Sequence, residues 1–328
     1  MEKVKKITFH VIPHTHWDRE WYLPFEIFRI ELVNLIDNLL NILKQNKDFI
    51  FHLDGQSIIL QDYLEINPEK EEEIKHYVKS GRLLVGPWYV LSDQFLTSGE
   101  ATIRNLLYGI RFSKDFGKAM MVGYCPDQFG QIAQLPQIFK GFNINSAIVG
   151  RGIQDSISEH NWFGLNGDKI ITISLTHWYN NAQRFPDEKE NLNNYIEKLY
   201  NTQSQTSKSG HILLMNGCDH LFAQNNLSEI LSNTNGSENW ELKLDDLETS
   251  VSKITEDSSV NEYPIYFGEL RDDNNKYILA GTLSSRVYLK LDNYNCQTKI
   301  EKIIEPLSTL LLLNKQISCY PYNLIKYA

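Results

Sequence analysis

The sequence predicts an α/β fold built on a mostly parallel sheet or barrel. Seven short apolar runs read as strands, segments with helically spaced apolar residues separate them, and three of the runs end in clusters of His and Asp. Strands that alternate with helices must run parallel to bury both faces of the sheet, and ligands then collect beyond the carboxyl ends of the strands.

The first run, Lys6 to Pro13, is rich in β-branched residues and stops at Pro13, so it delivers His14, Thr15 and His16 at a strand end. From Phe25 to Leu43, the positions Phe28, Leu32, Leu35, Ile36, Leu39, Leu40 and Leu43 recur at helical spacing. Phe51 to Asp54 resumes a strand pattern. Pro68 to Ser80 reads as a helix, because Pro68 suits a first turn, Glu69 to Glu73 complement the positive end of the dipole, and Gly81 closes it. Leu83 to Val85 then reads as strand, Ala101 to Phe116 as helix, Met120 to Tyr124 as strand, and Gln134 to Phe142 as helix. Ser146 to Val149, Lys169 to Leu175 and His211 to Met215 complete the strands, the last after a polar loop from Asn201 to Gly210.

The acid-rich, apolar-poor stretch Asn233 to Glu262 reads as partly exposed. Beyond it the pattern changes. Thr282 to Leu291 and Thr298 to Leu313 are helical and amphipathic with no strand between them, which sets a boundary near Gly268: an α/β domain at 1–268 and a helical segment at 269–328.

Composition narrows the function. A chain of 328 residues with 42% hydrophobic content can bury a large core, and 41 acids against 32 Lys and Arg disfavour nucleic acid or an anionic membrane as partner. Met1 to Lys6 leads into too short an apolar run for a secretory signal, and no run nears the roughly 20 apolar residues that span a bilayer. Cys125, Cys218, Cys296 and Cys319 are scattered without a C-x-x-C pair, so a reducing cytoplasm is the expected compartment.

Chemistry concentrates in three places. His14 to Tyr22 packs two imidazoles, two carboxylates and three aromatics behind one strand; His16 and Asp18, two apart, can aim at one ion, and imidazole with carboxylate suits zinc. Asp127 follows Pro126 at a second strand end, and Asp219 with His220 follows a third. Each has a bland alternative: a structural histidine, an Asx-turn at Asp127, a helix cap at Asp219. Three such strand ends together point to one convergent site.

The run His14-Thr-His-Trp-Asp-Arg-Glu-Trp-Tyr22, followed by Pro126-Asp-Gln-Phe-Gly130 and Asn216-Gly-Cys-Asp-His220, resembles glycoside hydrolase family 38. These are the retaining α-mannosidases, and the likeness is to their bacterial branch, which includes mannosylglycerate hydrolases. The resemblance implies a distorted (β/α) seven-stranded barrel-like catalytic domain followed by an α-helical bundle. It implies one Zn2+ held by His16, Asp18, Asp127 and His220. It makes Asp127 the nucleophile and Arg151, 24 residues later, its contact. The substrate implied is an α-mannoside or a mannosylglycerate-like carbohydrate, with Trp17, Trp21, Tyr22 and Asp219 as contacts and Trp88 as a further stacking candidate.

No general acid is assigned. Animal members supply an Asp shortly after the strand that corresponds to Ile170 to Trp178, where this chain has Tyr179-Asn180-Asn181; the candidates here are Asp155, Glu159, Asp168, Asp187, Glu188 and Asp219. Leu279 to Leu313 resembles the opening of the family's middle helical domain, which in the family leads into β-rich domains. The expectation is a truncated chain, a homo-oligomer or a separate C-terminal partner chain, with an exposed apolar face that favours association. Two other readings stand beside the mannosidase. One is a deacetylase-like metal-dependent carbohydrate hydrolase that uses metal-activated water. The other is an inactive truncated remnant that only binds carbohydrate.

Overall fold

The computed structural model describes residues 5–153, 155–234, 236–274 and 276–327. The first four residues of the Met1–Lys6 stretch lie outside the described residues, as does Asn235.

Strand β1 (Ile7–Thr15) is fully buried and is the hub of the first sheet. Parallel to it run β8 (His211–Asn216) on one edge, and β2 (Phe51–Leu53) and β9 (Trp240–Leu244) on other parts of its length; β3 (Leu83–Leu84) continues beyond β2. The second sheet has the order β10 (Ile265–Phe267), β6 (Glu159–Phe163), β7 (Lys169–Ser174), β5 (Ser146–Val149), β4 (Gly123–Cys125), and among the described residues only its β6–β7 pair is antiparallel. The α/β class and its parallel strands are therefore as the sequence predicts, with the strands divided between two five-stranded sheets instead of one hydrogen-bonded ring of seven.

Alternation along the strands explains how the two sheets share an interior. Phe9 and Val11 of β1 and Ile212 and Leu214 of β8 face the helices α1 (Phe25–Gln45), α2 (Ile58–Leu64) and α3 (Glu71–Lys79). Their neighbours Ile12, Leu213 and Met215 turn the other way and meet Tyr124, Ile148 and Ile173 of the second sheet. Ala147, Val149 and Ile170 face outward onto α5 (Leu135–Gly141) and Trp162. Side chains two apart share a face, so each strand feeds an inner and an outer core.

Several expectations need correction. The loop begun at Asn201 is helical at its start, because α6 runs Lys189–Gln203 with Leu192, Ile196 and Leu199 buried at helical spacing. The acid-rich stretch 233–262 is an integral part of the fold: β9 pairs with β1, and α8 (Leu247–Thr255) buries Leu247, Val251 and Ile254 under the sheet. The antiparallel β6 was not foreseen, its sequence Glu-His-Asn-Trp-Phe being polar though its first four residues are buried.

Leu270 pairs with Gln131 and Asp272 with Gly152, and Leu270 and Ile278 are buried in the catalytic unit. We therefore propose the domain junction after Ile278 instead of at Gly268. Beyond it, α9 (Val287–Lys299), a π-turn and α10 (Glu305–Leu313) form a largely exposed helical arm. The arm is held to α4 (Gly99–Phe116) by a bidentate Arg104–Glu305 pair at 2.7 Å and by Ser98 Oγ donating to Glu301 at 2.7 Å. Leu289, Leu291, Leu307, Leu310 and Leu313 are exposed along it.

Candidate active site

Five strand ends meet in one place. β1 leads into His16, β4 into Asp127, β5 into Arg151, β7 into Trp178 and Tyr179, and β8 into Asp219 and His220. The β1 and β8 ends are stitched together: His16 N–H donates to the Cys218 carbonyl at 3.2 Å, and His220 N–H donates to the His16 carbonyl at 2.8 Å. Gly217 allows this approach, because a Cβ there would lie 1.9 Å from the His14 carbonyl oxygen.

His16 is held from below. Its Nδ1 lies 3.0 Å from the buried Asp54 carboxylate, which also accepts from Trp17 N–H at 2.8 Å and from Gln56 Nε2 at 2.9 Å. That leaves Nε2 facing Asp18 Oδ1 and Asp127 Oδ2, each at 3.8 Å. Burial works against a charge on this ring, yet Asp54, with Asp18 and Asp127 beyond it, outweighs burial and holds its pKa up at about 10. Burial raises the pKa of Asp18, with Asp54 and Asp219 adding repulsion against the relief from His16 and His220. Burial likewise raises that of Asp127, against the opposing pull of His16 and Arg151.

Arg151 meets Asp127 as expected. Its Nη2 is 2.5 Å and its Nε 2.8 Å from Asp127 Oδ1, and the guanidinium lies over the Trp178 ring at 4.6 Å. Gly150 makes room between them, since a Cβ there would sit 1.7 Å from the Pro126 carbonyl oxygen.

His220 is in the site but turned. Its Nε2 lies 3.2 Å from both the backbone nitrogen and the carbonyl oxygen of Asp18, and its Nδ1 lies 3.3 Å from the Tyr22 hydroxyl. Its ring packs 4.2 Å from that of Phe28. Among the described residues, no three His, Cys, Asp or Glu side chains are gathered closely enough to hold an ion as they stand. The donor chemistry does fit zinc: an imidazole fixed by a carboxylate on its other nitrogen, facing two carboxylates, is the way such ligands are presented.

The aromatics divide. Trp17 is 2% exposed and packs edge-on against Phe28 and His220, so its indole serves as core, and the stacking expected of it is not available. Trp88 is also core, its Nε1 donating to the Tyr124 carbonyl at 2.9 Å. Trp21 and Tyr22 are exposed beside His220.

Of the six acids considered as proton donors, Asp219 touches the site, accepting from the Tyr179 hydroxyl at 3.0 Å. Tyr179 itself is held by His14, which donates to its carbonyl at 2.8 Å. Glu159 is fully buried and accepts from Ser207, Ser209 and the Lys208 amide, which makes it a loop anchor. Asp155 lies 3.5 Å from His160, Asp168 binds Asn166, Asp187 binds Asn226, and Glu188 begins α6 and binds Asn191.

Asp54, Gln56 and Tyr179 are the site residues that sequence reasoning missed. A cavity of about 370 Å³ opens over the cluster, lined by His16, Asp18, Gln56, Asp93, Asp127 and Gln128. A second, of about 620 Å³, lies beyond His220 and is walled by Arg184, Asn216, Phe222 and Asn226.

Comparisons with known proteins point to one family. The glycosyl hydrolases family 38 N-terminal domain matches residues 6–305. A protein of Halalkalibacterium halodurans described as a candidate mannosylglycerate hydrolase is 39% identical over 332 residues, covering 95% of this chain and 37% of its own length. Alpha-mannosidase 2C1 of Mus musculus is 26% identical over 96% of this chain and 30% of its own. The crystal structure of an alpha-mannosidase from Enterococcus faecalis V583 superposes with a TM-score of 0.92 and 34% identity, covering 98% of this chain and 37% of that one. The chain thus spans about a third of the length of the relatives it matches.

Proposed function

The chain belongs to glycosyl hydrolase family 38, and from that premise we propose that it carries the catalytic site of an enzyme that cleaves α-mannosidic bonds with retention, on an α-mannoside or a mannosylglycerate-like substrate. The observation that carries the reading is the Asp127 carboxylate, gripped by Arg151 on one oxygen while the other faces His16 across the floor of the cavity that opens over the cluster.

Asp127 attacks the anomeric carbon, and the bond to the leaving oxygen breaks as that oxygen takes a proton from a carboxylic acid. Water, deprotonated by the carboxylate that the acid has become, then attacks the anomeric carbon and displaces Asp127, so configuration is retained. Arg151 keeps the attacking oxygen oriented and ionised, which is worth most in a water-poor pocket. Asp219, braced by the Tyr179 hydroxyl, is placed to accept a sugar hydroxyl. Trp21 and Tyr22 offer ring faces at the outer edge, on the His220 side.

His16, Asp18, Asp127 and His220 would hold a zinc ion. When bound, such an ion supplies a Lewis acid for adjacent sugar hydroxyls. Asp54 supports this by holding Nδ1, so that Nε2 is the nitrogen that faces Asp18 and Asp127.

The test joins zinc content with hydrolysis of an activated aryl α-mannoside, on the native chain and on Asp127→Ala. Stoichiometric zinc, with hydrolysis abolished by the substitution, is the expected result. Loss of hydrolysis with zinc retained in the native chain would assign turnover to parts of the enzyme beyond these residues. Absence of zinc from the native chain would remove the metal from the reading.

A further inference from the structure

A third pocket, of about 330 Å³, is lined by Arg151, Thr176, His177, Trp178, Lys276 and Tyr277. We propose that it receives an anionic group of the substrate, a carboxylate or a phosphate, with Lys276 as its principal contact. The word substrate rests on the mannosidase reading above; the anion site itself does not.

The argument begins with Lys276. Its ammonium donates to the Leu175 carbonyl and lies 5.8 Å from the centre of the Trp178 ring, over which the Arg151 guanidinium also sits. The two influences on it, burial first and the Arg151 cation second, both disfavour the charge and lower its pKa to about 8. Among the described residues no carboxylate offsets them. A part-buried ammonium beside another cation carries a charge that an incoming anion would stabilise. Arg151 does not share the problem, since Asp127 already neutralises it.

The wall is also built for a ligand in other respects. Trp178 holds a left-handed backbone at φ 76°, a conformation strained for a bulky residue and one that accumulates at ligand sites. The Leu175 carbonyl uses one of the three ammonium protons, which leaves donors for an incoming oxygen. The chain as a whole carries −9, and the cavity over His16 is lined by four carboxylates, Asp18, Glu20, Asp93 and Asp127, against the cations His16 and Arg19, so a further cation beside Arg151 favours an anionic substrate.

Position ties the pocket to the reaction. The guanidinium that lines it is the same planar group that touches Asp127, so a sugar whose anomeric carbon lies at Asp127 has this pocket one side chain away. A carboxylate would come from the aglycone and a phosphate from the sugar.

The experiment is calorimetric titration of the chain with D-glycerate, with inorganic phosphate, and with glycerol as the uncharged control, repeated on Lys276→Met and Lys276→Arg. Saturable binding of one anion is expected, weakened about tenfold or more in Lys276→Met, as for loss of one charge-assisted contact, and largely retained in Lys276→Arg. Glycerol should not bind. Glycerate alone binding would assign the carboxylate, phosphate alone the phosphorylated sugar. Equal anion affinity in Lys276→Met, or no saturable binding of either anion, overturns the proposal. Hydrolysis of an uncharged aryl α-mannoside reads the mannosidase assignment separately. Hydrolysis without anion binding removes the pocket only, whereas anion binding lost in Lys276→Met without hydrolysis keeps the anion site and removes the mannosidase.

Discussion

The Asp54 carboxylate lies 3.0 Å from Nδ1 of His16, at the bottom of the candidate active site and with no exposure to solvent. This contact decides which nitrogen of His16 points at Asp18 and Asp127. It also ties the β1 end to β2, because Asp54 follows β2 directly and binds the Trp17 amide as well. Orientation of the imidazole and the joining of two strands are therefore one set of hydrogen bonds.

Asp54→Asn should keep the fold and loosen the metal. The amide retains the size of the carboxylate but no longer secures the Nδ1 proton with a charge, and losses of this kind cost about 10–100-fold in metal affinity. Zinc competition against a chelator, on native and variant chains, checks it. Unchanged affinity would mean that His16 is not a ligand.

Arg151→Lys should lower kcat/KM for an aryl α-mannoside by roughly 10²-fold, the scale of a small misplacement of a reacting group. The ammonium keeps the charge but cannot reproduce the two-nitrogen grip on Asp127 Oδ1. Steady-state kinetics beside a melting curve separates this from unfolding, since the expected Tm is close to native.

Much of this site is legible in the sequence, and the reason is local. His16, Asp127, Arg151, Asp219 and His220 all lie within a few residues of an apolar run that ends abruptly, and a strand end is visible in a linear pattern. Asp54 has no such mark: it follows a three-residue strand and matters only because of what packs onto it from β1. The burial of Trp17 escapes the sequence for a related reason. It alternates with His16 and Asp18, so when they face the cavity it faces the core, whereas composition shows only an aromatic-rich run. In the fold, the polar look of 233–262 hid the 4-and-3 spacing of Leu247, Val251 and Ile254, and β9 could be recognised only through its partner β1. Strained backbone at Asp54, Trp178 and His220, all at positive φ, is likewise a tertiary property.

Acid should destabilise the domain through His52. Burial, with the His14 ring and Lys118 adding to it, lowers its pKa from 6.5 to about 3, and its Nε2 accepts from the Leu247 amide. The unfolded chain then binds a proton below pH 6.5 that the folded chain refuses until about pH 3. Stability is thus flat in this group above pH 6.5 and falls as pH drops from there towards 3, by up to about 1.4 kcal/mol per pH unit. His52→Gln keeps an acceptor for Leu247 and removes the titration. Urea unfolding at stepped pH should show a shallower acid slope in the variant, and an identical slope would assign the effect to other groups.

Gly150→Ala should damage the site more than its single methyl suggests. The added Cβ would meet the Pro126 carbonyl oxygen at 1.7 Å, a backbone atom that cannot rotate away. Either the β4 end moves, carrying Asp127 from Arg151, or the β5 end moves, carrying Arg151 from Asp127. Overpacking of this kind costs about 1–3 kcal/mol in stability, and a shift of the nucleophile by an ångström costs about 10²-fold in rate. Gly141→Ala, where nothing lies within 4 Å, provides the control. Matched kinetics and melting curves should show both losses in Gly150→Ala and neither in Gly141→Ala; native kinetics in Gly150→Ala would mean that the two strand ends can part without disturbing the Arg151–Asp127 pair.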